Sequence, residues 1–140
     1  RQSKRLDMAN GAFVRELCDS RTFCRKADVD WMLSQGLGLG GNLGNAIVVD
    51  GEKVLNPDGL RHQDEYVRHK MLDALGDLAL AGAPLMGRFI GHKAGHAATN
   101  KLLRKLFATP LAYEMVTCDE ETALRLPGVG VDLSDLTRVA

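Results

Sequence analysis

Residues 64–81 (DEYVRHKMLDALGDLALA) constrain this chain more than any other stretch. The apolar residues return at helical spacing, and Gly82 and Pro84 follow as stop signals, so the segment predicts one long helix. Asp64 and Glu65 stand where the helix dipole is positive. Val67, Met71, Leu75 and Leu78 fall on one side, the expected core face. His69, Asp73 and Asp77 recur at i, i+4 and i+8 and form a stripe on the other side, directed toward solvent or a second layer. A chain built around such a helix has to provide that second layer.

Candidates for it lie on both sides. Residues 11–17 (GAFVREL) alternate weakly and predict a strand; residues 21–24 (RTFC) are a short polar–aromatic segment. Residues 27–35 predict a short helix closed by Gly36. Residues 45–49 (NAIVV) and 53–55 (KVL) are strand-like, and Asp50-Gly51 between them is a hairpin signal. Asn56-Pro57-Asp58-Gly59 has turn chemistry. Residues 86–90 predict a strand, and residues 95–108 a second helix with Leu102, Leu103, Leu106 and Phe107 available to a core. The tail from Thr117 carries no readable pattern. Hairpin and crossovers together predict an α+β fold: a two-layer sandwich of a small mixed β-sheet against two main helices.

Composition narrows the function classes. At 140 residues, 45% hydrophobic and 26% charged, the chain reads as a single domain over residues 1–140 with enough apolar material for one core. Its 18 basic and 18 acidic residues cancel, which argues against a nucleic-acid partner. No apolar run approaches the roughly 18 residues of a transmembrane segment. Cys18, Cys24 and Cys118 are odd in number and lack CxxC spacing, so a reducing, cytoplasmic setting is expected. Residues 1–15 lack the apolar region of a signal peptide, and the start in a polar run without Met is that of a trimmed or partial chain.

One motif is set aside. Gly36, Gly38 and Gly41 match GxGxxG, but a helix precedes them and a strand-like run follows. A dinucleotide fingerprint needs the reverse order, so that a helix N-terminus meets the pyrophosphate.

The chemistry-bearing pattern is the stripe. His69 and Asp73, one turn apart, can place an imidazole nitrogen and a carboxylate oxygen on one cation. The same spacing also serves an ordinary solvated face. Lys70 lies about a quarter-turn round, placed to reach an anionic group, and Gly76 leaves room beside the stripe. His92 and His96 flank a strand-to-helix handover. His96 is a candidate acid or base, with Asp77 as the carboxylate that would favour its charged form. A catalytic zinc ordinarily has three protein ligands, and His69 with Asp73 provides two. His62 lies two turns from His69, too remote to share an ion. The third ligand is either His96, in a self-contained metal hydrolase, or a residue outside this chain. A non-catalytic binding or interaction domain is the remaining alternative.

VRHKMLDALGDLALAG followed by HKAGHAATNKLL, and preceded by SRTF and GLGLGGNLGNAIVVDGEKVLNPDGLRHQDEYV, resembles the UDP-3-O-acyl-N-acetylglucosamine deacetylases, the zinc amidases of lipid A biosynthesis. HKxLDxxGD and KxGH stand at that family's separation, and the likeness runs from Gly11 to Phe107. It is to the second, C-terminal domain only. The resemblance implies zinc held by His69 and Asp73, with the third His and a Glu base on an N-terminal domain of the same enzyme. It implies His96 as the imidazolium that stabilises the oxyanion or protonates the leaving amine, Asp77 as the carboxylate that orients and charges it, and Thr22 as a donor polarising the amide carbonyl. Lys70, Phe23 and Lys93 would contact substrate. A βαβ insert, about residues 23–49, would form an apolar passage for the 3-O-acyl chain, lined by Val29, Met32, Leu33, Leu43 and Val48, with Gly38 and Gly41 close to the ligand. The reaction implied is hydrolysis of the N-acetyl group of UDP-3-O-acyl-N-acetylglucosamine, releasing acetate. This chain departs from the usual pattern at Arg25 and His92, where aromatics are common, and at Gly38, where a larger residue is common.

Overall fold

Two short strands and the helix between them open the fold in the computed structural model, which describes residues 1–126 and 129–136. Strand β1 (Thr22–Arg25) leads directly into helix α1 (Lys26–Ser34), and strand β2 (Ala46–Asp50) returns parallel to β1, with Phe23 opposite Ile47 and Cys24 opposite Val48. Strand β3 (Lys53–Val54) then pairs antiparallel with β2. The sheet is therefore mixed, in the order β1-β2-β3. Strand alternation sorts its residues: Ile47 is fully buried, while its neighbours Ala46 and Val48 turn toward α1.

The turns show why particular residues are needed. Asp50 pairs with Lys53, so the hairpin loop is Gly51-Glu52, one residue later than the Asp50-Gly51 signal indicated. Gly51 has φ +59, the conformation glycine supplies at the first position of such a loop. Asn56 is 5% exposed and replaces missing backbone partners: its Oδ1 accepts from the Val48 amide (2.9 Å) and its Nδ2 donates to the carbonyls of Leu43 and Ala46 (both 2.8 Å).

Helix α2 (Glu65–Ala79) packs against helix α3 (His96–Phe107), against β1 and against a π-helical turn (Phe13–Leu17). A small mixed sheet with helices matches the α+β sandwich expected of the sequence. Three local expectations are corrected. Residues 11–17 form that π-helical turn rather than a strand, because Phe13 and Leu17 stand at i and i+4 and bring Leu17 into full burial. Residues 86–90 form no strand; Met86 and Ile90 are exposed and the segment pairs with none of the described strands. On α3 only Leu103 and Thr99 are buried, and Leu102 and Phe107 are exposed. On α2 the buried apolar residue is Ala74, while Val67, Met71, Leu75 and Leu78 are half-buried.

The tail adds short helices α4 (Glu120–Ala123) and α5 (Leu133–Leu136). Asp135 brings it back to the π-helical turn through a two-point pair with Arg15, Nε to Oδ1 at 3.0 Å and Nη2 to Oδ2 at 2.8 Å.

Glu65 is more than a helix-dipole residue. It is fully buried and accepts from Arg21 Nε (2.9 Å), Arg21 Nη2 (3.0 Å), the Arg21 amide (3.1 Å) and the Arg61 amide (2.6 Å). Burial works against its charge, but these donors outweigh it and hold the carboxyl down at about 2. A carboxyl depressed on folding stabilises the fold above its ordinary range, and that contribution is lost as pH falls toward 2. In the full-length protein, Glu65→Gln should cost about 3–5 kcal/mol in urea unfolding at neutral pH. It should also flatten the acid limb of stability below pH 4.5; an unchanged acid limb would show that this pair does not carry it.

Candidate active site

The SRTF run does much of the positioning. Leu17 receives the Ser20 amide on its carbonyl (3.0 Å), Arg21 locks onto Glu65, and β1 starts at Thr22. This places the Ser20 carbonyl 3.0 Å from His69 Nδ1. A carbonyl only accepts, so Nδ1 carries a proton and Nε2 is the ring nitrogen left for another partner. His69 Nε2 then faces Asp73 Oδ1 at 3.2 Å, one helical turn away. An imidazole nitrogen and a carboxylate oxygen brought together in this way are a donor set suited to zinc. Among the described residues no group of three or more His, Cys, Asp or Glu side chains gathers around one point.

The stripe is covered rather than solvated: the side chains of His69, Asp73 and Asp77 are 15%, 17% and 17% exposed. Lys70 does not stand free for an external anion; its ammonium lies 2.6 Å from Asp73 Oδ2. Helix α3 brings a second His–Asp pair to the same face. His96 Nδ1 donates to Asp77 Oδ1 at 2.8 Å, and its Nε2 lies 3.9 Å from Asp73 Oδ2. Asp77 Oδ2 is buried without a hydrogen-bond partner among the described residues, so the His96 contact is the hydrogen bond this carboxylate makes there. The exposed His96 thus presents Nε2 on the side where His69 and Asp73 converge.

Phe23 joins this face to a cleft. Its ring meets Tyr66 edge-on at 5.1 Å and His69 at 6.1 Å between centroids. On its other side lies a cleft of about 790 Å³ between α1, the β1–β2 pair and the glycine loop. Val29, Met32, Leu33, Leu43 and Val48 all line it, as do Gly38, Gly41, Thr22 and Phe23. Gly38 has φ +68, and a Cβ on Gly41 would come within 3.1 Å of the Gly38 carbonyl, so both glycines are required by the loop itself.

Some placements were not legible beforehand. Cys24, Leu37 and Ala46 also line the cleft; Cys24 and Ala46 follow from strand register, which places every second residue of β1 and β2 on that side. His62 pairs with Asp19 (2.9 Å), away from His69. Lys93 is exposed in the loop before α3 with φ +50, and His92 is exposed beside it.

The fold and the site together define a two-layer α+β domain that carries a His–Asp donor pair, a second His–Asp pair above it and an apolar cleft alongside. Comparison with known proteins narrows that class. The family model of LpxC, UDP-3-O-acyl N-acetylglycosamine deacetylase, matches residues 1–108. The chain is 51% identical over 119 residues to the UDP-3-O-acyl-N-acetylglucosamine deacetylase of Chromobacterium violaceum. It is 50% identical over 117 residues to the protein of that name from Alcanivorax borkumensis, and 50% over 119 residues to that of Pasteurella multocida. These matches cover 84–85% of this chain and 38–39% of each relative, so the chain spans under half the length of the proteins it matches. The chain belongs to the UDP-3-O-acyl N-acetylglycosamine deacetylase family.

The cleft is wide and apolar enough for an alkyl chain, and Met32 on α1 forms part of its wall. Met32→Trp should weaken binding of a fluorescent medium-chain acyl probe by about tenfold, ~1.4 kcal/mol. Titration of the full-length protein would show this, and an unchanged affinity would place the probe elsewhere.

Proposed function

We propose that this chain forms part of the active site of a cytoplasmic, zinc-dependent deacetylase. The enzyme hydrolyses the N-acetyl group of UDP-3-O-acyl-N-acetylglucosamine in lipid A biosynthesis and releases acetate. The observation that carries this reading is the His69–Asp73 pair: Nδ1 engaged by the Ser20 carbonyl and Nε2 set 3.2 Å from a carboxylate oxygen one turn on. Family membership supports this substrate class, since the matched relatives bear that substrate in their names.

In this reading His69 and Asp73 hold zinc with a His from a preceding domain, which also contributes a Glu base. When bound, the ion supplies a water of lowered pKa and polarises the amide carbonyl. The chain's own residues do the rest. Thr22 donates to the oxygen on which negative charge develops. Charged His96, held at Nδ1 by Asp77, faces the reacting carbon with Nε2–H and passes that proton to the departing sugar amine. Lys70 turns from Asp73 toward the anionic part of the substrate, Phe23 lines the sugar, and Lys93 stands near the mouth. Leu43 and Gly41 border the acyl chain in the cleft. No helix among the described residues is long and apolar enough to cross a membrane, and all three cysteines are free.

His96 as a third zinc ligand is the alternative: its Nδ1 is engaged by Asp77 and its Nε2 lies 3.9 Å from Asp73 Oδ2, on a side chain 70% exposed. Two substitutions separate the roles in the full-length protein. Asp73→Ala should lower bound zinc, measured by metal analysis after dialysis. His96→Ala should retain zinc and lower kcat by on the order of 10²–10⁴. Loss of zinc from the His96 variant would instead make that residue a ligand.

A further inference from the structure

Arg21 has no part in the chemistry just described, yet it is 8% exposed and committed at every nitrogen. Nε and Nη2 grip the two oxygens of Glu65, at 2.9 and 3.0 Å. Nη2 also donates to the Gly59 carbonyl (2.8 Å), and Nη1 to the Leu43 carbonyl (3.3 Å). Its own amide donates to Glu65 Oε1 (3.1 Å). The residue before it in sequence orients His69; the residue after it is Thr22. Leu43, at the far end of its guanidinium, is a wall of the apolar cleft.

We infer that Arg21, clamped by Glu65, is a positioning residue that sets the His69 ring through the Ser20 carbonyl and, together with Asn56, the cleft wall through the Leu43 carbonyl, so that one guanidinium registers the ion-holding pair against the acyl-binding cleft. The inference rests on the zinc reading above and adds to it a group outside the reacting shell. The physical basis is rigidity. A planar fork with fixed donors defines both the distance and the angle between two elements, which a lysine ammonium on a flexible stem does not. The partners that orient metal-bound imidazoles ordinarily govern affinity by 10–100-fold. Here the orienting partner is a backbone carbonyl, so the residue that fixes that stretch of backbone takes over the role.

The test uses the full-length protein with Arg21→Lys, Glu65→Gln and, as a control, Leu103→Ala, a core truncation on α3 that lowers thermal stability without touching this network. Zinc affinity is measured by competition with a chelator, and kcat and KM are determined separately. The expectation for Arg21→Lys is a 10–100-fold loss of zinc affinity together with a raised KM, while Leu103→Ala loses stability and keeps both. Zinc affinity within twofold of the unmodified protein in Arg21→Lys, or an equal loss in Leu103→Ala, overturns the inference. If Arg21→Lys does not fold, Glu65→Gln stands in under the same criteria. A second readout needs no metal: nitrogen-15 spectra of the His69 ring in the metal-free protein. The unmodified protein should show the proton on Nδ1, and Arg21→Lys a mixture of the two tautomers; an identical ring spectrum overturns the inference. Should the unmodified protein bind no zinc, the functional reading fails while the ring spectrum still decides this one.

Discussion

The buried pair of Arg21 and Glu65 is the contact on which the rest of this structure depends. Glu65 is the first residue of α2 and is sealed from solvent, while Arg21 directly precedes β1. Their fork joins the sheet layer to the helix layer at one point. Isolated burial of either charge would be prohibitive; burial of both is tolerated because four donors converge on the carboxylate and the guanidinium finds two further carbonyls. Such a pair is a poor source of net stability and a strong source of uniqueness, since any other register of β1 against α2 leaves two charges unmet. Uniqueness is what a site assembled from separate elements needs.

From that point the site follows by short steps. Ser20 is fixed beside His69, Thr22 and Phe23 edge the cleft, and the i+4 repeat of α2 carries Asp73 and Asp77 along the same face. Helix α3 arrives with His96 at its first position and meets Asp77. The two His–Asp pairs differ in a way that suits different roles. His69 is tied to a neutral carbonyl and is 15% exposed, with its Nε2 directed at Asp73. His96 is tied to a carboxylate and is 70% exposed, with its Nε2 open to the same face. Environment separates the two identical side chains more than their positions in sequence do.

Much of this was legible in the residues alone. The 3.6-residue period of α2 and the i, i+4, i+8 stripe marked His69, Asp73 and Asp77, whereas the β1–α1–β2 unit and the apolar residues that line its cleft followed from the family resemblance. Local patterns carry such features because they are set by period. The Arg21–Glu65 clamp was not legible: charged residues at a helix start ordinarily serve the dipole and stay wet, and nothing in the spacing of residues 44 apart indicates that they meet. The π-helical turn at Phe13–Leu17 was misread because a weak alternation and an i, i+4 pair fit the same seven residues. The segment 86–90 has a strand's composition but no partner strand among the described residues, and composition cannot supply one.

The central claim is that His69 and Asp73 grip one zinc ion. Crystals of the full-length protein grown with zinc, with diffraction recorded on either side of the zinc absorption edge, test it most directly. The account predicts a strong anomalous peak between His69 Nε2 and Asp73 Oδ1, completed by a ligand from outside residues 1–140. A zinc-loaded crystal whose peak lies on other residues, with this imidazole and carboxylate left facing one another, would contradict it.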